Sequence, residues 1–199
     1  LCMAILALLF YQTLYGLALI SVSSDLNSHL LAMPLISAYL VFIRRKRLPA
    51  PSNAPAAFVF CLFAAAAAAV ALASRMDAAG YEGHESLSLR AFAFVMALVA
   101  CAALCWGRAM LRATAVPAAL LLFMVPLPDE LARAAAEGLQ SASASAVTAL
   151  FALAQMPAYR EGMTFLLPGL SIEIAEECSG IRSTLALFIS SIVAAEVFL

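Results

Sequence analysis

Six apolar runs separated by short charged segments constrain this chain more than any other feature. They cover residues 3–20, 30–43, 56–73, 87–106, 115–127 and 181–199. Globular chains carry about a quarter charged residues, whereas here 12% are charged, 65% are apolar and the mean hydropathy is +1.01. A bilayer core about 30 Å thick takes about 20 apolar residues per helical crossing. The pattern predicts an all-α polytopic membrane protein with about six transmembrane helices, residues 1–199 forming one integral-membrane domain. The second and fifth runs are short. Extending the second back through residues 26–29 would put His29 just inside the membrane mouth, and Pro117, Pro126 and Pro128 should end the fifth sharply. The six alanines at 64–69 predict a thin helix suited to close packing. The first run lacks the basic leader and the cleavage site of a signal peptide. With no initiator Met and a last run that continues to Leu199, the chain is expected to be a piece truncated at its C-terminus, with at least two further helices beyond 199.

The loops alternate in charge. Arg44, Arg45, Lys46 and Arg47 follow the second run, and Arg108 and Arg112 follow the fourth. Asp25 and His29 lie between the first two runs. Arg75, Asp77, Glu82, His84, Glu85 and Arg90 lie between the third and fourth, one net negative charge. The positive-inside rule puts the basic loops in the cytoplasm and the others outside. Arg44, Arg45, Lys46 and Arg47 then read as an anchor on anionic lipid. Trp106 and Tyr81 read as interfacial belt residues.

Residues 128–172 decide the side on which the segment after them lies. Positions 129–137 carry four charges and predict an amphipathic interfacial helix with Leu131, Ala135 and Leu139 on one face. Residues 138–156 are long enough to span, but Gln140 and four hydroxyls make them a poor crossing. Kept at the interface, they leave Cys178 on the outer face; as a crossing, they would move it to the cytoplasm. Pro168-Gly169 suits the central positions of a type II turn, and its flanks, 163–167 and 171–175, alternate with period two. A small outward-facing β-hairpin before the last helix follows.

Residues 173–183 gather Glu173, Glu176, Glu177, Cys178 and Arg182 at the mouth of the last apolar run, where charge is costly. Ser179 is a candidate N-cap. A cysteine at a helix start is shifted toward its reactive thiolate, and Arg182, four residues on, could stabilise a thiolate or an oxyanion. Glu176 and Glu177 oppose the first effect. Residue chemistry alone leaves two readings open: a nucleophile, or an inert ion-pair cluster. The other cysteines, Cys2, Cys61, Cys101 and Cys105, lie in apolar runs without ligand spacing and read as packing residues. No metal or cofactor site is expected.

The run Glu177-Cys178-Ser179-Gly180-Ile181-Arg182-Ser183 resembles the signature around the active cysteine of the exosortase/archaeosortase family, polytopic membrane transpeptidases. Ser28-His29 with Pro34 and Tyr39, ahead of the basic run, is similar to a second family segment. Leu121 through Pro128 is similar to a third, and Arg160-Glu161-Gly162 with Leu167-Pro168-Gly169 follows the family's approach to the cysteine. The resemblance implies a bacterial inner-membrane cysteine protease/transpeptidase with its site on the periplasmic face. Its substrates would be secreted proteins with a C-terminal sorting tail (a PEP-CTERM-type motif, a transmembrane helix and a basic end). They would be cut through a thioester and passed to an acceptor on a glycan or lipid; nucleic acid is not a partner. Cys178 is the implied catalytic residue. Arg182, Glu177, Glu176, Ser179, His29, Ser28 and Arg160 are candidates for lining the site; Ser28-His29 also reads as a polar anchor at a helix end, and Arg160-Glu161-Gly162 as a cap on the hairpin. The family's catalytic arginine and its histidine or second arginine come from segments after the cysteine, so Arg182, His29 and His84 are not given those roles, and residues 1–199 alone are expected to be inactive. The rival from another class is a transporter or assembly factor using the Glu/Arg cluster for ion or partner binding. A transporter would be expected to carry an internal repeat or a second broken helix, and neither is found. Glu196, deep in the last run, is expected to face another helix or a polar cavity.

Overall fold

Alanine and leucine, the strongest helix formers, dominate the third and fourth apolar runs, and both form long helices in the computed structural model. The structure describes residues 2–23, 29–45, 48–50, 53–80, 84–175 and 180–198. In chain order these form α1 (Cys2–Leu9), α2 (Tyr11–Ser23), α3 (Ala32–Arg44), α4 (Ala56–Ala78), α5 (His84–Ala113), α6 (Ala115–Leu120), a 3-10 turn (Leu121–Met124), α7 (Asp129–Leu153), β1 (Tyr159–Glu161), β2 (Thr164–Leu167), β3 (Leu170–Glu173) and α8 (Ile181–Phe198). The chain divides into two compact units, Leu1–Pro128 with Phe188–Leu199, and Asp129–Leu187.

In the first unit, α4 and α5 make the most extensive helix pair. Each buries a stripe of alanines at helical spacing: Ala66, Ala69 and Ala73 on α4, and Ala93, Ala97, Ala100 and Ala103 on α5. Small side chains let two backbones approach closely, which is how helices gain packing energy where no water drives them together. Arg90 and Asp77 form an ion pair across the α4–α5 connection. The core continues through Leu17, Leu30, Met33, Phe94 and Val95, with the Phe10 and Phe94 rings 5.6 Å apart. A buried Ser37 hydroxyl donates to the Pro117 carbonyl at 2.7 Å, joining α3 to α6. Outward, the helices bare large apolar side chains: Leu8, Leu35 and Phe60 are each more than 70% exposed. Cys101 is buried in this core, whereas Cys61 and Cys105 are exposed.

Two helices, Ala56–Ala78 and Glu85–Ala113, are long and apolar enough to cross a membrane among the described residues; a third arises if Ala115–Met124 and Asp129–Leu153 count as one broken span. The other runs give shorter pieces. The first is divided at Phe10 into α1 and α2, though backbone bonds from Phe10 to Leu6 and from Leu14 to Phe10 continue through the division. α3 has 13 residues, about 20 Å of rise. Pro117 does not bound the fifth run: it lies in the first turn of α6, where an N–H has no helical acceptor to lose. That run stops at Val125, extended ahead of Pro126. The fourth run ends at Trp106 as expected, and Gly107 with φ 80° and ψ −178° interrupts α5 there, a backbone state essentially confined to glycine.

The second unit departs from the sequence reading in two ways. Residues 129–153 form one continuous helix, with no division at Gly138 between an interfacial part and a candidate span. A solvent-tolerated glycine costs a helix only about 1 kcal/mol, which the packed face of α7 offsets. The predicted hairpin is also a three-stranded antiparallel sheet in the order β1-β2-β3. Pro168-Gly169 turns β2 into β3 with Gly169 at φ 85°, as the type II turn requires. The unforeseen strand β1 pairs Tyr159 with Leu166 and Arg160 with Phe165.

Candidate active site

α7 is the platform on which the approach to Cys178 is built. One face of the helix, Ala136, Gln140, Ala144, Val147 and Phe151, recurs every three to four residues, and its Ala144, Val147 and Phe151 pack in the cluster that holds the sheet. Its buried centre is Phe165 of β2, 1% exposed, with Ala144 and Ile174; Phe151 stands edge-on to Phe165 at 5.5 Å. A second face, Leu131, Ala135, Leu139, Ala142, Ala146, Leu150 and Leu153, repeats with the same period and is exposed throughout. Predicted in part from Leu131, Ala135 and Leu139, this apolar stripe runs the whole length of α7.

The chain is fixed on both sides of the cysteine. After β3, Ile174 is buried in the small core, its N–H donates to the Met163 carbonyl at 3.0 Å, and its carbonyl accepts from the Gln140 side-chain amide. Beyond the cysteine, the Gly180 carbonyl accepts from the Thr184 N–H at 2.9 Å and from the Ser183 hydroxyl at 3.0 Å, opening α8 at Ile181. Ser179, the expected N-cap of this helix, lies outside the described residues. Gly180 has φ 71°, so a side chain there would be strained. Glu176, Glu177, Cys178 and Ser179 themselves lie outside the described residues, as does Ser28. Arg182 falls in the first turn of α8, its side chain also outside what is described.

Arg160 lies in β1 with Nε donating to the Gly162 carbonyl at 2.8 Å and Nη1 to the Ser145 hydroxyl of α7 at 3.3 Å. Its guanidinium therefore braces the first hairpin turn against α7. His29 is half-buried in the turn before α3, and its carbonyl accepts the N–H groups of Ala32 and Met33 that begin that helix. The bond between Gln140 and Ile174, which ties the end of β3 to α7, is one that the sequence reading missed. The signal was present: Gln140 is the polar residue on the otherwise apolar face Ala136, Ala144, Val147 and Phe151, and a polar group on a packed face needs a partner. Replacing Gln140 with leucine should remove that hydrogen bond and lower the stability of this unit by about 0.5–1.5 kcal/mol, read as a shift in thermal unfolding of the detergent-solubilised protein.

Apolar helices bared to their surroundings, two of them long and apolar enough to cross a bilayer, joined in sequence to a helix-and-sheet unit define a multi-pass membrane protein. The family model for transmembrane exosortases (Exosortase_EpsH) matches residues 21–199, and the chain belongs to that family. No curated protein and no solved structure matches it. Exosortases are membrane cysteine transpeptidases that process secreted proteins, which makes the chain, at the level of its family, a membrane sorting transpeptidase.

Proposed function

We propose that Cys178 is the nucleophile of a transpeptidase that removes the C-terminal sorting tail of secreted proteins on the outer face of a bacterial inner membrane. The observation that carries this reading is the exosortase match over residues 21–199, whose bounds include Glu177–Ser183, the segment holding Cys178. The thiolate of Cys178 adds to the scissile carbonyl, and a cationic donor holds the oxyanion. Collapse of the tetrahedral adduct breaks the C–N bond; the departing amine takes a proton from an acid and leaves with the tail. The remaining thioester then passes its acyl group to an acceptor nucleophile on a glycan or lipid and releases the thiol. Glu177, Glu176, Ser179, Arg182, His29, Ser28 and Arg160 are the proposed lining of the site. The substrate tail carries a PEP-CTERM-type motif, a membrane helix and a basic end.

Two features support the outer placement and the six-crossing topology. A sheet with unpaired edges is not tolerated in hydrocarbon, so the three strands packed on α7 favour an interfacial α7 with its bare leucine stripe toward lipid. Arg44, at the basic end of α3, pairs with Glu196 near the end of α8, which favours the same orientation for both helices. α3 begins outside by the loop charges; α8 would do likewise, with Cys178 just before its outer end. A membrane-impermeant maleimide added to intact spheroplasts should label Cys178 in a protein whose other cysteines are serine. Labelling that requires opening of the inner face would reverse the topology.

A further inference from the structure

Glu196 is the most anomalous residue of the membrane unit. α8 runs Ile-Arg-Ser-Thr-Leu-Ala-Leu-Phe-Ile-Ser-Ser-Ile-Val-Ala-Ala-Glu-Val-Phe, so its ionisable side chains are Arg182 in the first turn and Glu196 near the other end. The Glu196 side chain is only 10% exposed, and its Oε1 has no access to solvent. Arg44 Nη1 lies 2.8 Å from that oxygen, at an angle that makes the attraction an ion pair rather than a hydrogen bond. Arg44 Nη2 also faces the Glu196 backbone carbonyl at 3.4 Å. A carboxylate among apolar side chains cannot stay ionised without a partner, and breaking a buried pair leaves an uncompensated charge. Sliding α8 by one turn, about 5.4 Å, would strand Glu196 in that way.

Arg44 has its own depth reference. It occupies the last turn of α3, and next to it Arg45 lies over the Phe42 ring at 4.2 Å, at the start of the basic run that the loop charges assign to the cytoplasmic surface. From Glu196 back to Ile181 the helix rises about 22 Å without a break, and Cys178 is three residues further on. An α-helix is stiff along its axis, so a pin near one end sets the level of the other.

We propose that Arg44 and Glu196 form an axial clamp that fixes the depth of α8 in the bilayer and thereby the height of Cys178 at its head. The proposal rests on the transpeptidase reading for what that height serves; the clamp itself is a property of α3 and α8. Glu196 is accordingly a positioning residue. Without Glu196, the stretch of α8 after Thr184 holds no charge, with Ser190 and Ser191 as its polar side chains, and can follow the thickness of its membrane by shifting or tilting.

The test uses the intact protein with Cys178 as its sole cysteine, reconstituted into phosphatidylcholine vesicles whose acyl chains range from about 14 to about 22 carbons. The rate of Cys178 labelling by an impermeant maleimide and the processing of a tailed substrate are both measured. With the clamp present, the labelling rate should vary less than about twofold across the series; Glu196→Leu should make it vary more than about fivefold, with processing lost first in the thickest bilayers. The charge-reversed pair Arg44→Glu with Glu196→Arg should restore the flat profile. An equally flat profile for folded Glu196→Leu, or a reversed pair no better than either single change, would overturn the clamp. Absence of processing by the unaltered protein would instead sink the transpeptidase reading, while the labelling profile still decides the clamp.

Discussion

Alanine at position 178 is expected to leave a tailed substrate uncut while the protein itself accumulates in the membrane at its usual level. The effect should be large because a covalent mechanism routes every turnover through one sulfur; removing the nucleophile of an acyl-transfer site typically lowers the rate by roughly 10⁴-fold or more. Stability should barely change. The chain is tied at Ile174 before the cysteine, by Gln140 and Met163, and at Gly180 after it, by Ser183 and Thr184. Serine at 178 is expected to be nearly as inactive, since a hydroxyl without an adjacent base is a far weaker nucleophile than a thiolate. Quantifying cut and uncut substrate beside the membrane level of each variant separates a chemical loss from a folding loss.

Phe165→Ala is the second large effect, and it acts on folding. Phe165 is 1% exposed at the centre of a core whose other buried members are Ala144 and Ile174, with half-buried Val147, Phe151, Met163 and Leu167 around them. Truncating a buried phenylalanine costs about 3–5 kcal/mol, and the lost edge-on contact with Phe151 contributes about 0.5–1.5 kcal/mol to that. A unit of this size has little stability in reserve. The sheet should come away from α7, raising proteolysis between residues 157 and 175 by two orders of magnitude or so. Leu166→Ala, one residue along and 43% exposed on the opposite face of β2, should change proteolysis only slightly. Equal cleavage of the two variants would show that the small core does not hold the sheet.

How far the fold was legible follows from where its physics is local. The Pro168-Gly169 turn, the end of the fourth run at Trp106 and the apolar stripe begun by Leu131 were readable because each depends on neighbouring residues. Strand β1 was not: three residues, Tyr159 to Glu161, are too short to show a period of two, and they form a strand only because β2 lies beside them. The continuity of α7 through Gly138 depends on packing by residues 20 and more positions away. Glu196 was recognised as needing a partner, but Arg44 is 152 positions distant and its pairing is a tertiary fact. The six crossings were counted from hydropathy, whereas among the described residues only α4 and α5 are single helices both long and apolar enough to cross, because the first run is divided at Phe10 and α3 is short. For the site, the cysteine motif was legible from its resemblance and the hairpin cap by Arg160 was one of two readings of its segment, while the Gln140 contact to Ile174 and the Arg160 contact to Ser145 were not legible.

The central claim is that Cys178 becomes acylated by the substrate. Incubating the intact protein with a tailed substrate, quenching in acid and mapping the products by mass spectrometry tests it directly. A substrate acyl group is expected on the peptide containing Cys178, released by neutral hydroxylamine and absent from the Cys178→Ala protein. Substrate processing that proceeds with no adduct on Cys178, and at an undiminished rate in Cys178→Ala, would contradict it.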